Sequence, residues 1–276
     1  MRLPARVPAL LLLCFAGPAA AGSISISISP VVELREGTLS AKVKVSNVGD
    51  ESAQSVAAVL VHGERTARGE IRPTLAPGAS MEAALSLPAG DLGTGRWPYE
   101  IAVDYTDANQ YPFQAIHLGL VTVGSPPPAK VAVSEIKADP LSSSTTVQVR
   151  VKNLAGVVRK ASVTVVTPEG IEVTTPVQDV TLAAWEERTV SAPLVNRTAL
   201  VGSRYPVFAE VQYDEDGGVH QTVAGQGMVA IEAAHSFFEK WRSWFAIGAL
   251  VLVALWLGIL VWWALTTRSR RAETGR

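Results

Sequence analysis

Residues 42–47 read Lys-Val-Lys-Val-Ser-Asn, and residues 148–153, which begin 106 positions later, read Gln-Val-Arg-Val-Lys-Asn. In both stretches valine alternates with a polar residue, a period of two that is typical of a β-strand with one buried face. Each stretch ends at an asparagine, a residue that favours turns. The two stretches therefore predict equivalent strands in two copies of one β-module.

Two further pairs of segments keep nearly the same spacing. Residues 75–78 (Leu-Ala-Pro-Gly) correspond to residues 182–185 (Leu-Ala-Ala-Trp), and residues 97–105 correspond to residues 205–213. Three matches in the same order, offset by 106 to 108 positions, indicate a tandem duplication. Short alternating segments separated by turns predict two tandem all-β modules, each a sandwich or a barrel, followed by one C-terminal transmembrane helix.

These motifs resemble a known family of modules. A V-x-V-x-N-x-G strand and turn, an L-x-P-G step and a Y-x-x-x-V-x-Y strand occur at residues 43–49, 75–78 and 99–105. Together they resemble bacterial immunoglobulin-like modules of the CARDB (cell-adhesion-related) type and the modules appended to bacterial α-galactosidases. The second module departs from the pattern at two places, because residues 184–185 are Ala-Trp and residues 154–156 lengthen the first turn. The resemblance covers most of residues 30–232. It implies an all-β fold of two tandem immunoglobulin-like β-sandwich modules with a binding or spacer role, and it brings no catalytic residues.

The N-terminus carries the features of a secretory signal peptide, predicted at residues 1–21. A positive region with Arg2 and Arg6 precedes a short apolar stretch at residues 7–16, and an Ala-x-Ala cleavage signature ends at Ala21. An uncleaved anchor is the alternative. The only cysteine, Cys14, lies inside this segment, so the modules are expected to be stabilised by their apolar cores without a disulfide. Lipidation of Cys14 is disfavoured because a leucine precedes it.

The C-terminus predicts a membrane anchor at residues 244–265. This run contains no charged residue, and about 22 residues at about 1.5 Å each match a hydrocarbon core of about 30 Å. Tryptophans that suit the two membrane interfaces lie at its ends, namely Trp241, Trp244, Trp262 and Trp263. Arginines that favour a cytoplasmic C-terminus follow it, namely Arg268, Arg270 and Arg271. We expect one continuous helix from about residue 233 to about residue 267, and a helix that begins near Trp241 after a short loop is the alternative.

The complete predicted organisation has seven parts. They are a signal peptide (1–21), a first module (22–124), a Pro-rich linker (125–129), a second module (130–232), a juxtamembrane helix (233–243), a transmembrane helix (244–265) and a basic cytoplasmic tail (266–276). Three consecutive prolines favour an extended spacer, so the two modules are expected to be semi-rigidly offset, with limited bending.

Charge and motifs argue against several classes of function. Residues 22–124 carry 7 Lys/Arg against 11 Asp/Glu, and residues 130–232 carry 9 against 12, so both modules are mildly acidic and unsuited to nucleic acid. No nucleophile elbow, zinc-protease motif or phosphate-binding loop is present. The histidines are scattered without metal-ligand spacing, at His62, His117, His220 and His235. We therefore predict no cofactor, no metal and no enzymatic activity.

Four features are weaker candidates for sites. Tyr111 and Phe113 lie in a turn where they suit a partner or ligand, or fold back onto the sheet. The acidic turns at residues 104–109 and 214–218 suit either Ca²⁺ or ordinary hairpin chemistry. The triplet at residues 196–198 (Asn-Arg-Thr) fits a glycosylation acceptor, expected to be unused in a chain of bacterial composition. Ala254 and Gly258 form a small-xxx-small pair that suits weak helix self-association.

The leading functional hypothesis is a non-enzymatic, membrane-anchored binding or scaffold protein of the cell envelope. Its modules would lie in the periplasm or at the cell surface, with the lipid bilayer and an envelope or membrane protein as partners. One alternative is an accessory subunit of a larger membrane complex such as a transporter. Another is carbohydrate recognition by the faces of the modules.

Overall fold

Alternating strands occupy most of the chain in the computed structural model, which describes residues 23–233 and 237–273. The first module contains β1 (Ile26–Arg35), β2 (Thr38–Asn47), β3 (Ala53–His62), β4 (Arg65–Arg68), β5 (Arg72–Leu75), β6 (Ser80–Pro88), β7 (Gly95–Thr106) and β8 (Pro112–Val123). The second contains β9 (Val131–Ala138), β10 (Ser144–Asn153), β11 (Arg159–Val166), β12 (Ile171–Val173), β13 (Val177–Leu182), β14 (Glu187–Asn196), β15 (Arg204–Glu215) and β16 (Val219–Ala230). The helix α1 spans Phe237–Glu273.

Each module is a sandwich of two sheets around its own core. In the first module the sheet β1-β2-β6 faces β4-β3-β7-β8, with β5 also paired to β3. In the second module β12-β14-β10-β9 faces β13-β11-β15-β16. The alternate valines of β2 and β10 are fully buried, as their period of two requires. The predicted fold class, two immunoglobulin-like β-sandwiches with one C-terminal helix apolar enough to span a membrane, is confirmed.

The asparagine that ends the repeated motif is a buried structural residue in both modules. The side-chain amide of Asn47 donates to the carbonyl oxygens of Glu51 (2.7 Å) and Leu75 (3.0 Å), and its oxygen accepts from the Gly49 N–H (3.1 Å). Asn153 makes the equivalent bonds, donating to Val157 and Ala183 and accepting from the N–H of Ala155. Each asparagine therefore ties the turn after its strand to the turn before β6 or β14.

The outer sheet faces of the two modules pack against each other. Five residues that belong to neither core are buried between them, namely Ala57, Ala102, Phe208, Glu210 and Thr222. At one end of this contact β16 pairs in parallel with the start of β7, at His220 and Gly95. The modules consequently lie side by side and form a single body.

The proline-rich segment makes hydrogen bonds at the contact between the two modules. The Pro127 carbonyl oxygen accepts hydrogen bonds from Arg96 (2.9 Å) and Gln221 (3.0 Å), and Arg96 also donates to Gln221 Oε1 (2.6 Å). The segment therefore runs along the contact between the modules. Burial of the outer sheet faces favours association of the two modules. The stiffness of the prolines alone does not predict this association.

The C-terminal helix extends beyond the expected C-terminal end. Its first described residue is Phe237, and before it the backbone of Ile231 and Glu232 pairs with Leu141. Residues 234–236 lie outside the described part of the chain. It continues to Glu273, past the expected end near residue 267, since no glycine or proline interrupts residues 259–273.

Candidate functional site

The two aromatic residues singled out from the sequence face the neighbouring module. The Tyr111 hydroxyl donates a hydrogen bond to the Thr198 carbonyl oxygen. Phe113 lies between two rings, with centroid distances of 5.3 Å to Tyr111 and 5.5 Å to Tyr105. Both residues are half-buried. This arrangement ties the first module to the loop before β15 and leaves the Tyr111 hydroxyl engaged within the chain.

The same rings border a cleft between the modules with a volume of about 640 Å³. Its walls include Ile24, Tyr105, Phe113, Leu200, Arg204, Tyr205 and Met228. Burial and the neighbouring Tyr205 raise the pKa of Tyr105 to about 12, so its phenol remains a neutral hydrogen-bond donor at physiological pH. The cleft combines aromatic faces with the charged side chains of Arg204, Glu51 and Asp107, a mixed lining of the kind found in small-ligand sites.

Two carboxylates face each other in the contact between the modules. Glu210 on β15 is nearly buried and accepts a hydrogen bond from Gln212 (3.0 Å). Burial raises the pKa of Glu210. Burial also raises the pKa of Glu100 on β7, and the negative charges of Glu210 and Asp104 raise it further. The ionised pair therefore opposes association of the modules, and protonation removes this penalty.

We expect the Glu210→Gln chain to melt at a higher temperature than the wild type at pH 7 and at the same temperature at pH 4. Because the folded-state pKa values of Glu210 and Glu100 lie above their unfolded values, their contribution is favourable at low pH and is lost as the pH rises through the folded values. Thermal unfolding in detergent between pH 4 and 8 measures the difference. Glu82→Gln, which changes an exposed glutamate, is the control. An equal gain at both pH values would contradict this role.

His220 lies at the junction of β16 and β7. Its ring stacks on Trp97 with centroids 3.9 Å apart, and its Nδ1 lies 2.9 Å from Asp214 Oδ1. Its Nε2 lies 3.4 Å from the hydroxyl oxygen of Thr222, which is fully buried. The buried Thr222 hydroxyl is not accessible to a substrate. The contacts among Asp214, His220 and Thr222 therefore have a structural role at the junction of β16 and β7.

The acidic turns have partners within the chain. The Asp107 carboxylate accepts from the N–H groups of Asn109 and Tyr111, each at 2.8 Å, and Asp104 pairs with Arg68 at 2.8 Å. Among residues 23–233 and 237–273 no group of three or more His, Cys, Asp or Glu is placed to hold a metal ion. The Asp107 contacts are those of hairpin-turn chemistry, whereas Asp104 forms a salt bridge from β7 to β4.

The predicted glycosylation acceptor also has a structural role. The Asn196 amide donates to the carbonyl oxygens of Ser142 and Ala199, and its oxygen accepts from the Ala199 N–H at 2.8 Å. The side chain therefore holds together the two loops at the end of the second module that leads to α1.

A surface that the sequence analysis missed lies at the opposite end of the second module. The turns after β10 and β13 expose four apolar side chains, which we call the distal tip: Leu154, Val157, Val158 and Trp185. Trp185 is 65% exposed, its N–H donates to the Ala155 carbonyl oxygen (3.1 Å), and its ring lies over Gly156. The two turns are thus joined, and they present one apolar surface.

The first module has no large apolar side chain at three of the four equivalent positions, and at the fourth Leu154 corresponds to Val48, which is 65% exposed. Val157 and Val158 correspond to Glu51 and Ser52 at the offset of 106, and Trp185 corresponds to Gly78 at the offset of 107. Trp185 adopts φ +60°, a left-handed conformation that Gly78 adopts at φ +73° without steric cost. The sequence signal for this surface is the departure of residues 154–156 and 184–185 from the residue types of the repeat. The turn after β10 is not lengthened as expected, because Asn153 and Val157 are separated by the same four positions as Asn47 and Glu51.

The candidate membrane residues lie on α1. Its segment Ser243–Leu260 has a mean hydropathy of 2.3, and none of it is buried. Trp241 and Trp244 are exposed at its N-terminal side. Five further candidates fall within the helix, but their side chains lie outside the described part of the structure: Trp262, Trp263, Arg268, Arg270 and Arg271. Ala254 and Gly258 border a shallow groove on the helix with Val251, Leu255 and Ile259.

Comparison with known proteins gives only distant structural similarity. No protein-family model and no curated protein sequence matches the chain. Escherichia coli alpha-2-macroglobulin matches 76% of this chain and 17% of its own, at 12% identity and a TM-score of 0.31. Red sea bream transglutaminase matches 76% and 31%, at 11% identity and 0.28, and the YadV chaperone matches 73% and 99%, at 12% and 0.29. TM-scores this low carry no argument about function.

Proposed function

We propose that this chain is a non-enzymatic, membrane-anchored binding or scaffold protein of the cell envelope. It holds two immunoglobulin-like modules as one body outside the membrane, with its C-terminus in the cytoplasm, and binds a protein partner through the distal tip. The modules remain candidates for the CARDB-like class on the basis of their motifs. The predicted signal peptide and the arginines after residue 267 support this orientation.

The observation that carries this proposal is the exposed apolar surface of the distal tip. Large aromatic side chains at the centre of a contact contribute strongly to protein association, and tryptophan is enriched among such residues. Trp185 is kept in a left-handed conformation that costs free energy, at a position where the other module has glycine. An exposed residue that reduces stability is well explained by a contact with a partner.

The position of the tip suits a partner beyond the membrane surface. The strand β16 starts beside the tip at Val219 and runs for 12 residues, about 40 Å, to the end that leads to α1. Only residues 232–236 separate the second sandwich from Phe237, and at about 3.5 Å each they span about 18 Å at most. The short connection supports a body that lies near the bilayer. The length of β16 supports a distal tip on the side of the second module that faces away from the bilayer.

We expect Trp185→Gly to abolish partner binding without lowering the stability of the fold. Glycine removes the exposed indole and relieves the left-handed strain, so the free energy of unfolding should stay the same or rise by about 1 kcal/mol. Trp185→Ala should lose binding equally but remain about 1 kcal/mol less stable than Trp185→Gly, since alanine keeps the strain. Chemical unfolding of the purified full chain measures the stability, and stoichiometric co-purification from mild detergent extracts measures the binding.

Ile71→Ser is the matched control for this experiment. Ile71 is 60% exposed on the first module, away from the tip, so this change removes a comparable apolar side chain and should leave the partner bound. Equal loss of the partner with Ile71→Ser, or full retention with Trp185→Gly, would refute the distal tip as the binding surface.

The shallow groove on α1 favours a second candidate function, an accessory subunit of a larger membrane complex. Small residues in such a groove allow close approach of another helix. The same co-purification separates the two functions. A polytopic partner that stays bound to the Trp185→Gly chain supports the accessory subunit, whereas loss of the partner supports binding through the tip.

A further inference from the structure

The loop between β14 and β15 exposes two adjacent apolar side chains. It covers residues 197–203, and within it Leu200 is half-exposed while Val201 is 63% exposed. Gly202 follows at φ +87°, the left-handed conformation that glycine adopts readily in turns. The neighbouring Arg204 is exposed as well. This membrane-proximal loop is separate from the distal tip.

Hydrogen bonds fix the loop beside the point where the chain leaves for α1. The Gly202 N–H donates to the Ile231 carbonyl oxygen at 2.8 Å, and the Ile231 N–H donates to the Ser203 carbonyl oxygen at 2.9 Å. The turn N–H of Ser203 also bonds to the carbonyl oxygen of Leu200, at 3.2 Å. Val201 therefore lies at the same level of the module as Ile231, six positions before the first residue of the helix.

The distances place this loop within reach of the membrane. Residues 232–236 span about 18 Å at most, and the six residues from Phe237 to Arg242 add about 9 Å of helix before the apolar segment starts. A bilayer around that segment has a headgroup layer that extends several ångströms beyond the hydrocarbon core on each side. The loop can thus meet the headgroups of the bilayer that α1 spans.

The first module provides an internal comparison. Its equivalent loop, residues 89–94 between β6 and β7, lies beside the linker at the end away from α1. That loop reads Ala-Gly-Asp-Leu-Gly-Thr, with an exposed Asp91, and Leu92 packs against the core. Only the copy at the end leading to α1 exposes a pair of large apolar side chains. The fold itself therefore does not require them.

We propose that the loop with Leu200 and Val201 inserts into the interface of the bilayer that α1 spans, and so fixes the orientation of the modules on the membrane. Asp139 and Glu232 are exposed at the same end of the module. The attraction therefore comes from burial of apolar side chains and is expected with zwitterionic lipid alone. This inference rests on the membrane anchoring of the proposed function and is independent of the distal tip.

Three single-cysteine labels test the proposal in the full chain reconstituted in phosphatidylcholine nanodiscs. In a Cys14→Ala background, Val201→Cys, Val158→Cys and Leu250→Cys carry an environment-sensitive fluorophore, with nitroxide-labelled lipid as quencher. Val158 is a matched control, because it is also 63% exposed but lies at the distal tip. Leu250, in the apolar segment of α1, reports the anchoring itself.

The label at 201 should emit at shorter wavelength and lose at least about half of its emission, because apolar groups at such interfaces enter about 5–10 Å into the headgroup–acyl boundary. The label at 250 should be quenched and the label at 158 should not. Quenching at 250 alone would overturn the loop contact while leaving the anchor intact. Absence of quenching at all three would overturn the anchoring, and equal quenching at 158 and 201 would show that the whole module lies on the bilayer.

Discussion

Replacing Asn153 by alanine is expected to lower the free energy of unfolding by about 2–4 kcal/mol and to abolish binding at the distal tip. The fully buried amide donates to the carbonyl oxygens of Val157 and Ala183, each at 2.8 Å, and accepts from the Ala155 N–H at 3.0 Å. Alanine leaves these three groups without their partner, and each unsatisfied buried group costs about 1–3 kcal/mol, partly relieved by water at the turn. These backbone groups belong to the two turns that form the tip.

Asn47→Ala separates stability from binding. Because Asn47 makes the same set of bonds in the first module, its loss should cost a similar free energy while leaving the distal tip intact. A drop of about 5–10 °C in Tm is expected for both chains. Binding should be lost only in Asn153→Ala when it is measured well below both transitions. Retained binding in that chain would mean that the tip does not depend on its amide framework.

Replacing Gly95 by valine is expected to open the junction between the modules. A Cβ at this position would lie 2.3 Å from the His220 carbonyl oxygen and 2.9 Å from the His220 Cβ, closer than such atoms approach in proteins. The clash is relieved only if β7 and β16 move apart, which also separates the stacked rings of Trp97 and His220. Overpacking of this kind costs about 1–3 kcal/mol, so the open population should rise by about 5-fold to about 150-fold.

Limited proteolysis within residues 124–130 measures this opening, since the closed junction holds the Pro127 carbonyl oxygen against Arg96 and Gln221. Gly93→Val is the control. An added Cβ at Gly93 meets nothing within 4 Å, so the same substitution two positions earlier should leave the cleavage rate unchanged. Equal cleavage of the two chains would show that the junction does not depend on close approach at Gly95.

The candidate residues could be predicted from the sequence only in part. Tyr111 and Phe113 were recognised as aromatic residues in a polar turn, but whether their rings face solvent depends on the second module, which lies next to them only after folding. Glu100 and Asp104 alternate with core residues of β7, a pattern that is the same for a face in water and for a face covered by another sheet. The period-two pattern therefore could not predict that the other module covers this face of β7.

The positions at which the second module departs from the repeat indicated the candidate binding surface better than the positions at which the two modules match. Asn153 matches Asn47 of the first module, and its buried amide makes hydrogen bonds that the sandwich requires. Trp185 differs from Gly78 of the first module, so the sandwich does not require tryptophan at this position. Selection for another property can act there. Sequence alone could not show that Trp185 and Val157 lie on adjoining turns, because the chain separates them by the length of β11, β12 and β13.

The sequence by itself determined the two β-sandwiches and the apolar helix, because strand alternation, turn residues and an uncharged apolar run act over a few neighbouring residues. Only the tertiary structure decided that the modules lie side by side, that Tyr111 and Phe113 face the contact between them, and that two apolar surfaces lie at opposite ends of the second module. These outcomes depend on which outer faces cover each other. That choice is made by burial between segments roughly 100 residues apart, and it leaves no periodic signal in either segment.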